Sequence, residues 1–169
     1  MRAAPLIASS LASTEKRYDH AMDAVVLPEG EGEDLAAGSS RITIKATGAN
    51  TGGTFFLSES EIGPGFPGPP LHVHERLHDM FYVLDGVLTL RLADRSVEAP
   101  PGTFVCIPPG VAHTFSNPGE HPVRFLNFNT PSGWESYMRE LAGAFASGEP
   151  VTPETIGNIA ARYDFKIVA

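Results

Sequence analysis

Between residues 41 and 130 the chain repeats one pattern, a short run of alternating or wholly apolar residues followed by a glycine or proline break. Breaks at roughly every eight to twelve residues suit neither a long helix nor a parallel sheet, and an antiparallel sandwich or barrel requires them. "RITIKAT" sets Ile42 and Ile44 against Arg41, Thr43 and Lys45, the period of two of a half-buried strand. "GGTFFLSESEI" follows and runs into "GPGFPGPP", a loop that continues no helix and no central strand. "DMFYVL" and "VLTLRL" flank Asp85-Gly86, whose turn chemistry predicts a tight hairpin. Ala93-Asp94-Arg95 predicts the next turn, leading to "SVEA", and "TFVCI", "AHTFSN" and "VRFLNFN" complete the series. The expected class is all-β, with residues 41–130 as a barrel or sandwich.

The flanks read differently. Residues 1–40 form an arm, in which "STEKRYDHAMDAVVLP" holds a short helix or extended segment and "EGEGEDLAAGSS" an acidic loop. Beyond Thr130 the period lengthens: Trp134, Met138, Leu141 and Phe145 recur at helical spacing after Ser132 as a cap. A second helix is expected from Thr152 as N-cap, with Pro153 at its first position, Glu154 in its first turn, and Ile156, Ile159, Ala160 and Tyr163 as its stripe. Residues 131–169 are thus a helical segment whose apolar stripes cover the barrel or a subunit contact.

Composition narrows the partners. A length of 169 residues, 42% of them hydrophobic, buries one core without staples. Twenty acidic against twelve basic residues give a net charge of −8, the wrong sign for nucleic acid or an anionic membrane. No stretch approaches the ~20 apolar residues of a membrane span. "MRAAPLIASSLAS" is too interrupted, by Pro5 and several serines, for an export signal, so a cytoplasmic location is expected. The single cysteine, Cys106, forms no intrachain disulfide; between Val105 and Ile107 it reads as a buried, inert thiol rather than a ligand.

Against that background "GPPLHVHERLHDMFYVLDG" stands out. His72 and His74 are two apart, so on an extended chain both imidazoles leave the same face and converge as metal ligands do. His78 and Asp79 are neighbours on opposite faces. Asp79 shares its parity with Phe81 and Val83, and His78 with Met80, Tyr82 and Leu84, so alternation does not choose between them. Farther on, "GTFVCIPPGVAHTFSN" delivers His113 just after a Pro-Gly turn, on one face with Phe115 and Asn117.

Two spaced patterns in these segments resemble the motifs of the cupin superfamily. Gly102, Pro108, Gly110, His113 and Asn117 match every position of the second cupin motif. His72, His74 and Gly86 match the first, with Asp79 where that family has glutamate. Fifteen residues separate Gly86 from Gly102, the short spacing of compact members. The resemblance covers residues 41–130 and implies a jelly-roll β-barrel with one divalent transition metal (Fe, Mn, Ni, Co or Zn) inside it. The implied ligands are His72, His74, Asp79 and His113. Aspartate is one methylene shorter than glutamate, so His78 as an alternative ligand, or no fourth protein ligand, stays open.

"TGGTFFL", "PPLHVHE", "DMFYVLDGVLTL" and "TPSGWESYMRELA" are further similar to small cupins related to quercetin 2,3-dioxygenase. That resemblance implies an oxygenase for a flavonol-like, aromatic or polyketide-like small molecule, with Asp79 as the catalytic base. Phe81, Val83, Phe104 and Phe115 are the expected cavity walls. Two other readings are a non-redox polyketide cyclase or isomerase, in which the ion polarises a carbonyl, and a binding module without turnover. Exposed sheet edges and the terminal segments lead to the expectation of a homodimer.

Overall fold

The computed structural model describes residues 23–168; an N-terminal helix or export signal within the first 22 lies outside the described residues. In chain order the elements are β1 (Glu33–Ala37), β2 (Ser40–Ala46), β3 (Phe56–Ile62), β4 (His72–Val73), β5 (His78–Asp85), β6 (Leu88–Leu92), β7 (Arg95–Ala99), β8 (Phe104–Ile107), β9 (His113–Ser116), β10 (Val123–Thr130), α1 (Trp134–Ala146), α2 (Pro153–Ala160) and β11 (Lys166–Ile167). One sheet has the order β1-β2-β3-β10-β5-β8, the other β11-β4-β9-β6-β7, and the pairs are antiparallel. The two sheets form a jelly roll with helices after it. Among the described residues no ladder joins them into one closed sheet.

Alternation drives the packing. Along β10, Val123, Phe125, Asn127 and Asn129 point inward while the residues between them are half-buried. Apolar inward residues fill one end of the jelly roll, where Ile62, Phe81, Val83, Leu88, Leu90, Ala99, Ile107, Val123 and Phe125 form a continuous core. A fully buried side chain of this size contributes about 1.5–3 kcal/mol by leaving water. At the other end Ile42, Ile44, Phe56 and Leu77 pack against Trp134, Tyr137, Ile159 and Phe165 from the helical segment.

Several local expectations are corrected. Asp85-Gly86 separates two real strands, yet they do not pair: β5 lies between β10 and β8, and β6 between β9 and β7. Gly86 turns a corner between sheets at φ 74°, and a Cβ there would meet the Pro122 carbonyl at 2.7 Å, so glycine serves close approach rather than a hairpin. The turn at Ala93-Asp94 is a true two-residue hairpin, pairing Leu92 with Arg95. The segment read as an acidic loop holds β1, whose Asp34 accepts hydrogen bonds from Arg41 at 2.6 Å and Thr43 at 2.7 Å on β2.

The helices settle similarly. Thr152 caps α2 as expected, in a reciprocal pair with Thr155 and with Pro153 leading the helix. Ser132 does not cap α1. Gly133 occupies that position, and the Glu135 carboxylate takes its N–H at 2.8 Å and that of Gly48 at 2.9 Å, tying the helix start to the β2–β3 loop. Gly68, in the Gly/Pro loop, runs against β9 so closely that a Cβ would sit 1.9 Å from the Phe115 carbonyl.

Candidate metal centre

His72 on β4 and His113 on β9 are directly paired across the ladder, which places their imidazoles side by side, ring centres 4.3 Å apart. His74 follows two residues along the same strand direction, and Asp79 enters from β5 on the opposite sheet. One ligand-type atom of each of these four residues lies within 4.8 Å of the others, and all four side chains are buried. His72 is 2% exposed and His113 1%. His78, on the opposite face of β5, is half-buried and stays outside the cluster. The strand therefore presents the aspartate, not the histidine.

Each imidazole is oriented from behind. Nδ1 of His72 donates to the Pro70 carbonyl at 2.8 Å, Nδ1 of His113 to that of Val111 at 2.9 Å, and Nδ1 of His74 to that of Asp164. A carbonyl only accepts, so each ring carries a proton on Nδ1 and points Nε2 inward, the orientation of a metal-ligating histidine. Burial, with His113 as a neighbour, pushes the pKa of His72 down to about 3; burial also lowers that of His74. Nε2 of His74 is buried without a hydrogen-bond partner, and Oδ2 of Asp79 lies 3.2 Å from Nε2 of His113 and 3.9 Å from Nε2 of His74. Imidazole nitrogens and a carboxylate oxygen crowded together in a buried site fit a cation at their centre.

Two residues outside the sequence expectation complete the arrangement. Asn127 and Asn129 each donate an amide N–H to Oδ1 of Asp79 at 2.6 Å. Asn129 is the direct cross-strand partner of Asp79 in the β10–β5 ladder. Their signal lay in "VRFLNFN": two amides with the inward parity of Phe125. Asn117, by contrast, is structural; its Nδ2 donates to the carbonyls of Gly63 at 2.9 Å and His121 at 2.8 Å.

A cavity of about 150 Å³ opens beside the cluster, with His72, Asp79 and Asn127 on its wall. The remaining lining is mostly apolar, from Phe115 and Phe125 on the sheets and from Trp134, Tyr137, Met138 and Leu141 on α1. The stripe of α1 thus covers the hollow. Of the four expected wall residues only Phe115 lines it. Phe81 and Val83 are core, Phe81 backing Phe115 with ring centres 5.4 Å apart. Phe104 is 61% exposed, and Cys106, expected to be buried, is exposed beside it. Both point outward because Ile107 is the inward residue of β8, and parity carries 104 and 106 to the other face.

Comparison with known proteins agrees with this geometry. The sequence model of the cupin domain family matches residues 58–129. The chain is 29% identical over 143 residues to quercetin 2,3-dioxygenase of Bacillus subtilis; the match spans 85% of this chain and 42% of that protein's length. Among solved structures, the polyketide cyclase RemF from Streptomyces resistomycificus superposes with a TM-score of 0.54 at 26% identity, covering 63% of this chain and 79% of that one. KdgF from Halomonas superposes with a TM-score of 0.56 at 15% identity, covering 65% and 97%, a likeness of fold alone. Among the described residues no helix is long and apolar enough to cross a membrane. Matched segment, jelly roll and histidine spacing together make residues 58–129 of this chain a cupin domain.

Proposed function

We propose that the chain is a metal-dependent oxygenase of quercetin 2,3-dioxygenase type, acting on an aromatic, flavonol-like or polyketide-like small molecule. The observation that carries this reading is the apolar cavity that ends on His72 and Asp79. His72, His74, His113 and Asp79 would hold one divalent transition ion of the Fe, Mn, Co, Ni or Zn group, for which imidazole and carboxylate are suitable ligands. When bound, the ion supplies Lewis-acid charge that makes a substrate hydroxyl more acidic and, if redox-active, gives access to O2.

The chain's own residues do the rest. Asn127 and Asn129 hold Oδ1 of Asp79, so Oδ2, the oxygen that faces the imidazoles, would serve as the ligand atom and, on its second lone pair, accept the proton of an acidic enol or phenol hydroxyl. Apolar walls exclude water and hold a flat ring against His72. The enclosed volume takes about one aromatic ring, as a dry cavity of this size does. A multi-ring substrate seats one ring there and extends through the mouth.

The structural likeness to a polyketide cyclase at 26% identity favours a second reading, cyclisation or isomerisation without O2. Oxygen uptake separates the two. Protein loaded with Fe, Mn, Co or Ni and given a flavonol is expected to consume O2 as substrate disappears, and His113→Ala to abolish uptake. A zinc-loaded protein that converts a polyketide-like substrate without O2 would establish the second reading, and ligand binding without turnover of either substrate the third, a small-molecule-binding module.

The exposed apolar face of β5 and β8, with Tyr82, Leu84 and Phe104, supports a homodimer, for which an eluting mass of two chains is the check. One free, exposed cysteine suits a reducing, cytoplasmic setting.

A further inference from the structure

The segment after α2 does more than end the chain. It returns to the edge of the five-stranded sheet beside the histidines, where β11 pairs with β4, setting Lys166 opposite Val73 and Ile167 opposite His72, and Val168 N–H donates to the Leu71 carbonyl at 2.9 Å. Phe165, 3% exposed, lies flat on the imidazole of His72, ring centres 3.9 Å apart and planes 10° from parallel. The carbonyl of Asp164 is the acceptor for Nδ1 of His74. The Asp164 carboxylate in turn accepts three backbone N–H bonds from the turn after His74: Oδ1 from Glu75 at 2.8 Å, and Oδ2 from Arg76 and Leu77 at 2.9 Å each.

These contacts form one unit. The carboxylate fixes Asp164 to the turn that follows His74, which aims its carbonyl at the ring and fixes tautomer and rotation together. Phe165, the next residue, closes the rotation of the neighbouring ligand. Nothing in β4 alone does this: it is two residues long, and its partner β9 reaches only His72.

We propose that Asp164 and Phe165 are positioning residues of the metal centre, orienting His74 and His72 from the C-terminal strap so that strap docking and metal affinity are coupled. The inference rests on the metal reading above. A strap that only filled core would stabilise metal-free and metal-loaded protein equally. A positioning strap weakens metal binding when it is altered, by roughly 10–100-fold for residues that orient ligands.

The test is Co²⁺ binding to the full chain, by competition with a chromogenic chelator and by the visible absorption of bound Co²⁺. Phe165→Leu keeps the apolar volume and removes the stack; it is expected to bind Co²⁺ about 10-fold more weakly with a shifted absorption band, and Phe165→Tyr to restore both. Asp164→Ala is expected to lose up to about 100-fold, with Asp164→Asn between it and the parent. In the parent, Co²⁺ is expected to slow amide hydrogen exchange at Glu75, Arg76 and Leu77, a measurement that does not depend on any variant folding. Variants matching the parent's affinity and spectrum within twofold, or parent exchange at those amides indifferent to Co²⁺, would overturn the strap's role and leave the metal site standing. A parent that binds no Co²⁺ would overturn the metal reading and this inference with it.

Discussion

The two ends of the jelly roll are built from the same strands and put to opposite uses. At one end Phe81, Val83, Leu88, Leu90, Ile107 and Phe125 fill the space between the sheets with side chains exposed by at most 2%. At the other the strands and the turn after β4 supply three imidazoles, a carboxylate and two amides, and α1 with Phe165 roofs the gap. β5 passes through both: Asp79 enters the polar end, Phe81 and Val83 the packed end. A period of two aims all three inward, and only distance along the strand divides ligand from core. Apolar side chains close-pack the filled end, and the ligand-type side chains gather at the hollow one, buried at a cost that a bound cation would offset.

Substitutions that separate the ends sharpen this contrast. Leu90→Ala, at the filled end, is expected to lower unfolding free energy in urea by about 2–5 kcal/mol while the folded fraction still binds metal. Loss of metal binding instead would merge the two ends. His113→Ala, at the hollow end, is expected to weaken metal binding by more than about 100-fold, beyond the effect of residues that merely orient ligands, with an unchanged circular dichroism spectrum.

Acid probes the hollow end in metal-free protein. His72 ionises at about 3 when folded, against about 6.5 in an unfolded chain, so the unfolded state binds the extra proton as pH falls. Stability is therefore intact above about pH 6.5 and declines below it, by up to about 1.4 kcal/mol per pH unit from this group until pH approaches 3. Chemical denaturation at a series of pH values reads it, and a flat profile between pH 6.5 and 4 would contradict the buried neutral ring. The smallest effects belong to the outer face: Cys106→Ser is expected to change stability by less than about 0.5 kcal/mol. A large loss would restore the buried position that the sequence favoured.

Much of the hollow end was legible before the structure. His72 and His74 share a face by spacing, and His113 follows a Pro-Gly turn, both signals that survive folding because they are local. Alternation did not choose Asp79 over His78, since both faces of "DMFYVL" are apolar, and the family resemblance alone favoured Asp79; the hydrogen bonds that hold its carboxylate come from Asn127 and Asn129, on a strand more than forty residues away. Asp85-Gly86 misled for a related reason. Turn chemistry specifies how the backbone reverses and not which sheet receives the next strand. Phe104 and Cys106 were expected inside because their neighbours are apolar, and a four-residue strand is too short for its alternation to show which face turns outward. The strap had no local signature: β11 is two residues long, and the value of Asp164 and Phe165 lies wholly in what they touch.

Elemental analysis of protein purified without a histidine tag bears most directly on the central claim that His72, His74, Asp79 and His113 surround one cation. The account predicts about one divalent transition ion per chain, lost in His72→Ala and His113→Ala variants that remain folded. Protein that keeps no ion after exposure to Fe, Mn, Co, Ni and Zn, or variants that keep the parent's full content, would contradict it.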